Sequence, residues 1–155
     1  MISINEVQDE FVQALESLSR DAEFGLVVFS EGYAVWNYQP QRATRINKLA
    51  AITWLQTVPV GFEACIGPAM LDLISIANLS TKERKQIFLF SDREPFCEGA
   101  STADDSLTEI TAANWQKIPI HTVYKFPVVL EEEDKGYDFM EMLASENKGT
   151  FKVKW

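Results

Sequence analysis

Few residues in this sequence have a type and setting that could do chemistry, and Asp92 is foremost among them. It ends the stretch Ile87-Phe88-Leu89-Phe90-Ser91 and is followed by Arg93, Glu94 and Pro95. An apolar run without polar alternation predicts a strand buried on both faces, as in a parallel sheet covered by helices. In such sheets the functional site lies outside the carboxyl ends of the strands. A carboxylate there can ligate a metal, meet a partner, or cap the following turn. Arg93 and Glu94 leave the same loop. A second loop with Pro59 and Gly61 runs into Cys65 and brings Glu63 to the same rim. The candidate partner-contacting residues are therefore Asp92, Arg93, Glu94, Glu63 and Ser91.

Other reactive side chains are sparse. Cys65 and Cys97 both fall on loops at the carboxyl rim, which allows them to lie near each other. Two cysteines are too few for a disulfide scaffold, no CxxC pair has zinc spacing, and inert buried thiols are the expectation. The single histidine, His121, is internal to a predicted strand, where a hydrogen-bonded structural role is the default. The run Glu131-Glu132-Glu133-Asp134 lacks the spacing and glycine of a calcium loop and reads as a solvated segment. Trp36, Trp54, Trp115 and Trp155 read as core or edge packing. There is no phosphate-binding GxxxxGK, no GxGxxG, no GxSxG and no HExxH. A thiol–imidazole pair between His121 and either cysteine stays open, because such partners meet in space rather than in sequence.

The 155 residues suit one domain with one core. With 46% hydrophobic and 24% charged residues, the composition is that of a globular protein. A net charge of −9 argues against nucleic acid and against an anionic membrane surface, both of which need basic residues. No apolar run is long enough to span a bilayer and no signal-peptide pattern opens the chain, so the expected location is the cytoplasm.

The elements that must position these residues alternate. Ser3 with Glu6 forms a capping box for a helix carrying Val7, Phe11, Ala14, Leu15 and Leu18 at helical spacing, closed by residues 20–23. Phe24 to Ser30 reads as a strand buried on both faces, and Glu31-Gly32 turns it into the returning strand Tyr33 to Trp36. Thr44 caps a helix to about Gln56 with Ile46, Leu49, Ala50 and Leu55 inward. Ile66, Ala69, Met70, Leu73, Ile74 and Ala77 mark the clearest helix, with Pro68 in its first turn. After residues 86–91 comes a long polar loop. Asp104 or Asp105 then caps a helix with Leu107, Ile110 and Ala113 inside. A strand over 118–126, an acidic loop over 127–136, a helix over 137–147 with Gly149 as its left-handed cap, and a strand from Thr150 complete the chain. This order predicts an α/β fold: a three-layer α/β/α sandwich with a mainly parallel, Rossmann-like sheet and an antiparallel edge hairpin.

Several of these segments together resemble the von Willebrand factor type A domain in its bacterial stand-alone form. Phe24 to Ser30 is similar to that family's second strand. Ala64-Cys65-Ile66 with Ala69-Met70 resembles a segment that usually reads Thr-Asn-Ile with Ala-Leu. Ile87 to Pro95 resembles the strand ending Thr-Asp-Gly-Glu-Pro, and Phe139 to Phe151 the closing helix, cap and strand. The resemblance covers nearly the whole chain. It implies a metal-ion-dependent adhesion site, built from Asp-x-Ser-x-Ser after the first strand, a Thr from a second loop and an Asp from a third, with chemistry suited to Mg²⁺. Only Asp92 matches that set firmly. Met1, Ser3 and Asn5 stand at the three named positions of the first motif, Ala64 replaces the Thr, and Arg93 replaces the Gly after Asp92. The expectation is a degenerate site with no cofactor.

The resemblance also implies that the family's first, central strand is missing, so that the domain spanning 1–155 is incomplete at its N-terminus. Its neighbours would then close up, be served by another segment, or be completed by strand exchange in a homodimer. The functional expectation is a non-catalytic protein-interaction module that binds a partner protein through the carboxyl-end loops. Two other readings stay open: a Mg²⁺-dependent adhesion or scaffold domain whose site is completed from outside this chain, and a small α/β enzyme.

Overall fold

A computed structural model describes residues 4–29, 32–58, 64–97, 102–125 and 135–154. The elements in chain order are α1 (Ile4–Glu16), β1 (Glu23–Phe24), β2 (Val27–Phe29), β3 (Tyr33–Val35), β4 (Gln41–Arg42), α2 (Arg45–Leu55), α3 (Ile66–Leu79), β5 (Ile87–Ser91), α4 (Ala103–Ala113), β6 (Ile120–Lys125), α5 (Lys135–Glu146) and β7 (Phe151–Lys154). β5, β6 and β7 form a parallel sheet in that order, with Ile87 opposite Ile120 and Thr122 opposite Phe151. β2 and β3 pair antiparallel as the expected hairpin, and β1 and β4 form a second short antiparallel pair. The predicted α/β class and parallel sheet are present, and the antiparallel hairpin forms as a two-stranded sheet of its own rather than paired to the edge of the parallel one.

One face of the parallel sheet carries the core. Ile87, Leu89, Ile120 and Tyr124 point into it and meet Ile66, Met70 and Ile74 of α3, Leu107 and Ile110 of α4, and Phe139, Met140 and Leu143 of α5. The apolar spacing read from α3 is the reason it packs there. Thr122 is fully buried in this interface. Its hydroxyl donates to the Met140 carbonyl at 2.7 Å, so the polar group is satisfied where the strand meets the helix. Two asparagines lock the far end. Asn114 Nδ2 donates to the Ile118 carbonyl at 2.8 Å and to Asn147 Oδ1 at 3.0 Å, and Asn147 Nδ2 donates to Thr111 and to the Leu143 carbonyl. The opposite face has α1, whose Glu10 pairs with Lys154 of β7. Lys48 of α2 donates to the Leu18 carbonyl at 2.6 Å, just beyond the α1 C-terminus, where a cation is favoured.

Several expectations are corrected. β5 is not buried on both faces. Ile87, Leu89 and Ser91 are buried, but Phe88 is 54% exposed and stacks on His121 with ring centroids 5.0 Å apart. The segment Phe24 to Ser30 is not one doubly buried strand: it divides into β1 and β2, each half-buried, while Ser30 lies outside the described residues. Thr44 caps α2 as expected, its hydroxyl accepting from the Asn47 N–H at 3.2 Å. The inward stripe differs, however. Ala51 and Leu55 are buried, whereas Ile46 and Leu49 are 80% and 63% exposed. The expected set is not one stripe, since Leu55 lies on the opposite side of the helix from Ile46, and the face of Ala51 and Leu55 is the one that packs. On that side Lys48 bonds the Leu18 carbonyl, and Asn47 Nδ2 bonds the Arg42 carbonyl.

Helix ends move too. Thr102, not Asp104 or Asp105, caps α4, and the two aspartates fall in its first turn, where negative charge suits the helix end. α5 begins at Lys135 rather than 137. Lys148, not Gly149, takes the left-handed conformation after α5, with φ 56°. Gly149 is needed for a different reason: a Cβ there would collide with the Ile120 carbonyl. Trp36 stacks on Phe24 as edge packing, but Trp115 is exposed rather than in the core. The capping Ser3, the Glu31 of the turn, most of the acidic loop and Trp155 lie outside the described residues.

Candidate functional site

The rim at the carboxyl end of β5 is built from two segments, 64–66 and 91–97. They are joined first by backbone: Ala64 and Phe96 form an antiparallel bridge in which the Phe96 N–H donates to the Ala64 carbonyl at 2.9 Å. They are joined again by a disulfide between Cys65, at the N-cap of α3, and Cys97. The expectation of two inert thiols is therefore corrected. The sequence placed both cysteines on this rim, but their pairing depends on the bridge between residues 64 and 96. A cysteine–histidine dyad is excluded for these two residues, because neither is a free thiol.

The Asp92 turn has a definite internal order. Ser91 is buried, and its hydroxyl accepts from the Arg93 N–H at 3.3 Å while donating to the Arg93 carbonyl at 3.0 Å. The capping role open to Asp92 thus falls to Ser91. Asp92 instead accepts from Arg93 Nε at 3.0 Å, with side chains only 15% and 32% exposed respectively. Arg93, which stands where the resemblance sets a Gly, is the carboxylate's partner. Beneath this pair, the Tyr124 hydroxyl points at the Asp92 carbonyl, 3.4 Å away. The first turn of α5 presses on the turn from the side. A Cβ on Gly136 would lie 2.7 Å from the backbone of both Arg93 and Glu94, so only glycine fits.

The remaining candidates separate. Glu94 is exposed beside the pair, and Glu63 lies outside the described residues, as do Met1 and Ser3. Asn5 falls within α1. Ala64 is buried and carries no side-chain oxygen. His121 is structural, its Nδ1 accepting from the Thr150 N–H at 3.0 Å. Among the described residues no three His, Cys, Asp or Glu side chains are grouped as a metal site would require. Sequence reasoning overlooked Phe96. This ring is 58% exposed although its own backbone is fixed by the bridge to Ala64. Its signal in the sequence was faint: an aromatic residue set between Pro95 and Cys97 in an otherwise polar loop.

No family profile matches the sequence, and no curated protein matches it. Solved structures do. A von Willebrand factor type A protein from Catenulispora acidiphila superposes with TM-score 0.81 over 98% of this chain at 16% identity. This chain spans about a third, 34%, of that protein. BatB from Bacteroides thetaiotaomicron, described as a conserved hypothetical protein, gives TM-score 0.62 at 13% identity, with 97% of this chain and 79% of that one covered. Proximal thread matrix protein 1 of the mussel byssus gives 0.65 at 14% identity over 96% of this chain and 37% of its own. No described helix is long and apolar enough to cross a membrane. The order of elements, the parallel sheet under α3, α4 and α5, and these superpositions identify the fold of this chain as that of the von Willebrand factor type A domain.

Proposed function

We propose that this chain is a non-catalytic protein-interaction module that binds a partner protein at the rim formed by residues 64–66 and 91–97. The observation that carries the reading is Phe96. An aromatic ring more than half exposed, on a backbone held by a bridge and an adjacent disulfide, loses little entropy on binding. Aromatic and Arg anchors in such settings dominate interface energies. Arg93 and Glu94, just before the ring in the same segment, supply charge that selects a partner, Asp92 holds Arg93 in place, and Ser91 holds the turn. Glu63 is the candidate contributed by the preceding segment.

The described residues do not suit Mg²⁺. The position that would supply a hydroxyl is the buried Ala64, and the one retained carboxylate is already bonded to a guanidinium. Binding through the rim is accordingly metal-independent in this proposal. The disulfide also favours an oxidising compartment over the cytoplasm expected from the sequence.

The test is site-directed photo-crosslinking in the native source, with Phe96→p-benzoylphenylalanine and the same substitution at Trp115, which is exposed at the other end of the sheet. The expected result is a discrete protein adduct from position 96 only, lost when Arg93→Ala is added and unchanged by Mg²⁺ or a chelator. No adduct at 96, or equal adducts at both positions, overturns the proposal.

A further inference from the structure

Helix α2 packs against α1 on one side, where Lys48 bonds the Leu18 carbonyl, and turns an apolar stripe to solvent on the other. Ile46, Leu49, Ala50 and Thr53 are exposed, and Trp54 is half-buried beside them. Together with Thr57 they line one open depression of about 630 Å³, and none of them is charged. Their spacing has a specific meaning. Helix positions i, i+3, i+4 and i+7 are the corners of a hole that accepts one side chain from a facing helix. Ile46, Leu49, Ala50 and Thr53 form such a hole. Ala50, Thr53, Trp54 and Thr57 form the next one along the stripe. Its last corner lies in the turn after α2, where the Thr57 hydroxyl donates to the Trp54 carbonyl at 2.7 Å. The corners that both holes share, Ala50 and Thr53, are small, so each hole stays open between the larger walls of Ile46, Leu49 and Trp54.

The charge around the stripe departs from the rest of the chain. From Gly32 to Phe62 the sequence has no Asp or Glu, although the chain holds 23 of them, and it has Arg42, Arg45 and Lys48. Arg42 and Lys48 are engaged towards Asp21 and Leu18. Arg45 is exposed, one residue before Ile46 and one turn before Leu49, so it borders the first hole. The stripe is therefore apolar with a basic edge, on a chain whose net charge is −9.

We propose that the exposed stripe of α2 docks an amphipathic helix of a partner protein, with apolar side chains entering the two holes and Asp or Glu on its flanks. The helical form of the occupant follows from the relief, because holes one turn apart are matched by side chains three or four residues apart on a facing helix. Its acidic flanks follow from charge. A carboxylate meets Arg45 at the stripe and no like charge along it, whereas the other exposed surfaces of an acidic chain repel it. An open apolar patch of this regularity is otherwise a liability in water. The stripe contains none of the residues of the Phe96 rim, so either proposal can fail alone.

The test uses fluorescein-labelled helical peptides with Leu, Ile or Met at the inserting positions and Glu on the flanks. Each is titrated with the whole chain and followed by fluorescence anisotropy. At least one should bind saturably, and its counterpart with Lys in place of Glu should bind weaker by about tenfold or more. Arg45→Glu should narrow or reverse that preference. Leu49→Glu removes a wall of the first hole, and Thr53→Arg fills the corner that both holes share. These two variants change charge in opposite directions, yet each should weaken the Glu peptide by about tenfold or more. Their Tm should stay within about 2 °C of the unaltered protein, since both positions face solvent, and either variant suffices if the other does not fold. Phe96→Ala should leave peptide binding unchanged. The proposal is overturned if no peptide binds, if Glu and Lys peptides bind alike, or if folded stripe variants bind as the unaltered protein does. It is equally overturned if light scattering shows a dimer that Leu49→Glu converts to a monomer, because the occupant is then a second copy.

Discussion

Reduction of the Cys65–Cys97 bond should destabilise the fold by an amount set by chain length. The bridged residues are separated by 32 positions. In the chain-entropy account, closing a loop of that size restrains the unfolded state by about 3.7 kcal/mol at 25 °C. For a domain of this size each kcal/mol moves Tm by ~2–4 °C, so the shift should be about 7–15 °C. Cys65 is buried and sits at the start of α3, so replacing it by serine would add a desolvation cost of its own. The cleaner comparison is the unaltered protein with and without a phosphine reductant, the redox state being read by mass spectrometry. Urea titration should give the same difference, with a steeper slope for the reduced chain, because its unfolded state is less restrained. Locally, Phe96 should keep its bond to Ala64 but exchange its amide faster, because the bridge is then the remaining tie between the two segments. A fully reduced protein that melts within about 1 °C of the oxidised one would refute the reasoning. It would mean that residues 65–97 stay restrained in the unfolded chain without the bond.

Four further outcomes follow from the packing. Leu49→Glu should change stability by less than about 0.5 kcal/mol, because Leu49 faces solvent, whereas Leu55→Ala should cost about 2–5 kcal/mol; denaturant melts distinguish them. Asn147→Ala strips Asn114 and Thr111 of buried partners and should cost more than about 2 kcal/mol in the same assay. Gly149→Ala should lower Tm sharply, since its Cβ meets the Ile120 carbonyl, which cannot move without breaking into β6. The Tyr33 phenol is raised above its ordinary value of 10.0, chiefly by its hydrogen bond to Asp72, then by slight desolvation and the same negative charge. The neutral phenol is the favoured form, so its contribution holds below the unfolded pKa and fades as pH rises through the folded one. Ultraviolet titration should show Tyr33 ionising earlier in Asp72→Asn.

The fold was legible wherever apolar spacing alone chooses the buried face. α3 packs as its spacing at i, i+3, i+4, i+7 and i+8 implies, and the parallel order of β5, β6 and β7 follows from strands separated by helices. The spacing misled where apolar residues lie on both faces of a helix. In α2 Leu55 falls on the opposite face from Ile46, and it is the face of Ala51 and Leu55 that is buried, leaving Ile46 and Leu49 outward. β5 reads as doubly buried because its composition is apolar throughout, but burial needs a covering element. The described helices α3, α4 and α5 cover one face, leaving Phe88 to the solvent and to His121.

The site was harder to read because its order is made by contacts between neighbours, which single positions do not announce. Asp92 was visible as a carboxylate at a strand end. That its charge is met by the next residue, and that the turn is held by the residue before it, are consequences of backbone direction at 91–93. The same bend brings Glu94 under Gly136 and carries Phe96 across to Ala64, and only that crossing sets Cys97 against Cys65. In the proposed metal-independent rim, Ala64 and Arg93, which stand where the resemblance sets a Thr and a Gly, have a common physical sense. An alanine can be buried under the Phe96 bridge where a ligand hydroxyl would need to stay open. An arginine supplies from within the chain the positive charge that a carboxylate at this rim requires. The rim is organised by a covalent bond and an internal ion pair, which give cohesion between its two segments and partner the Asp92 carboxylate from within the chain.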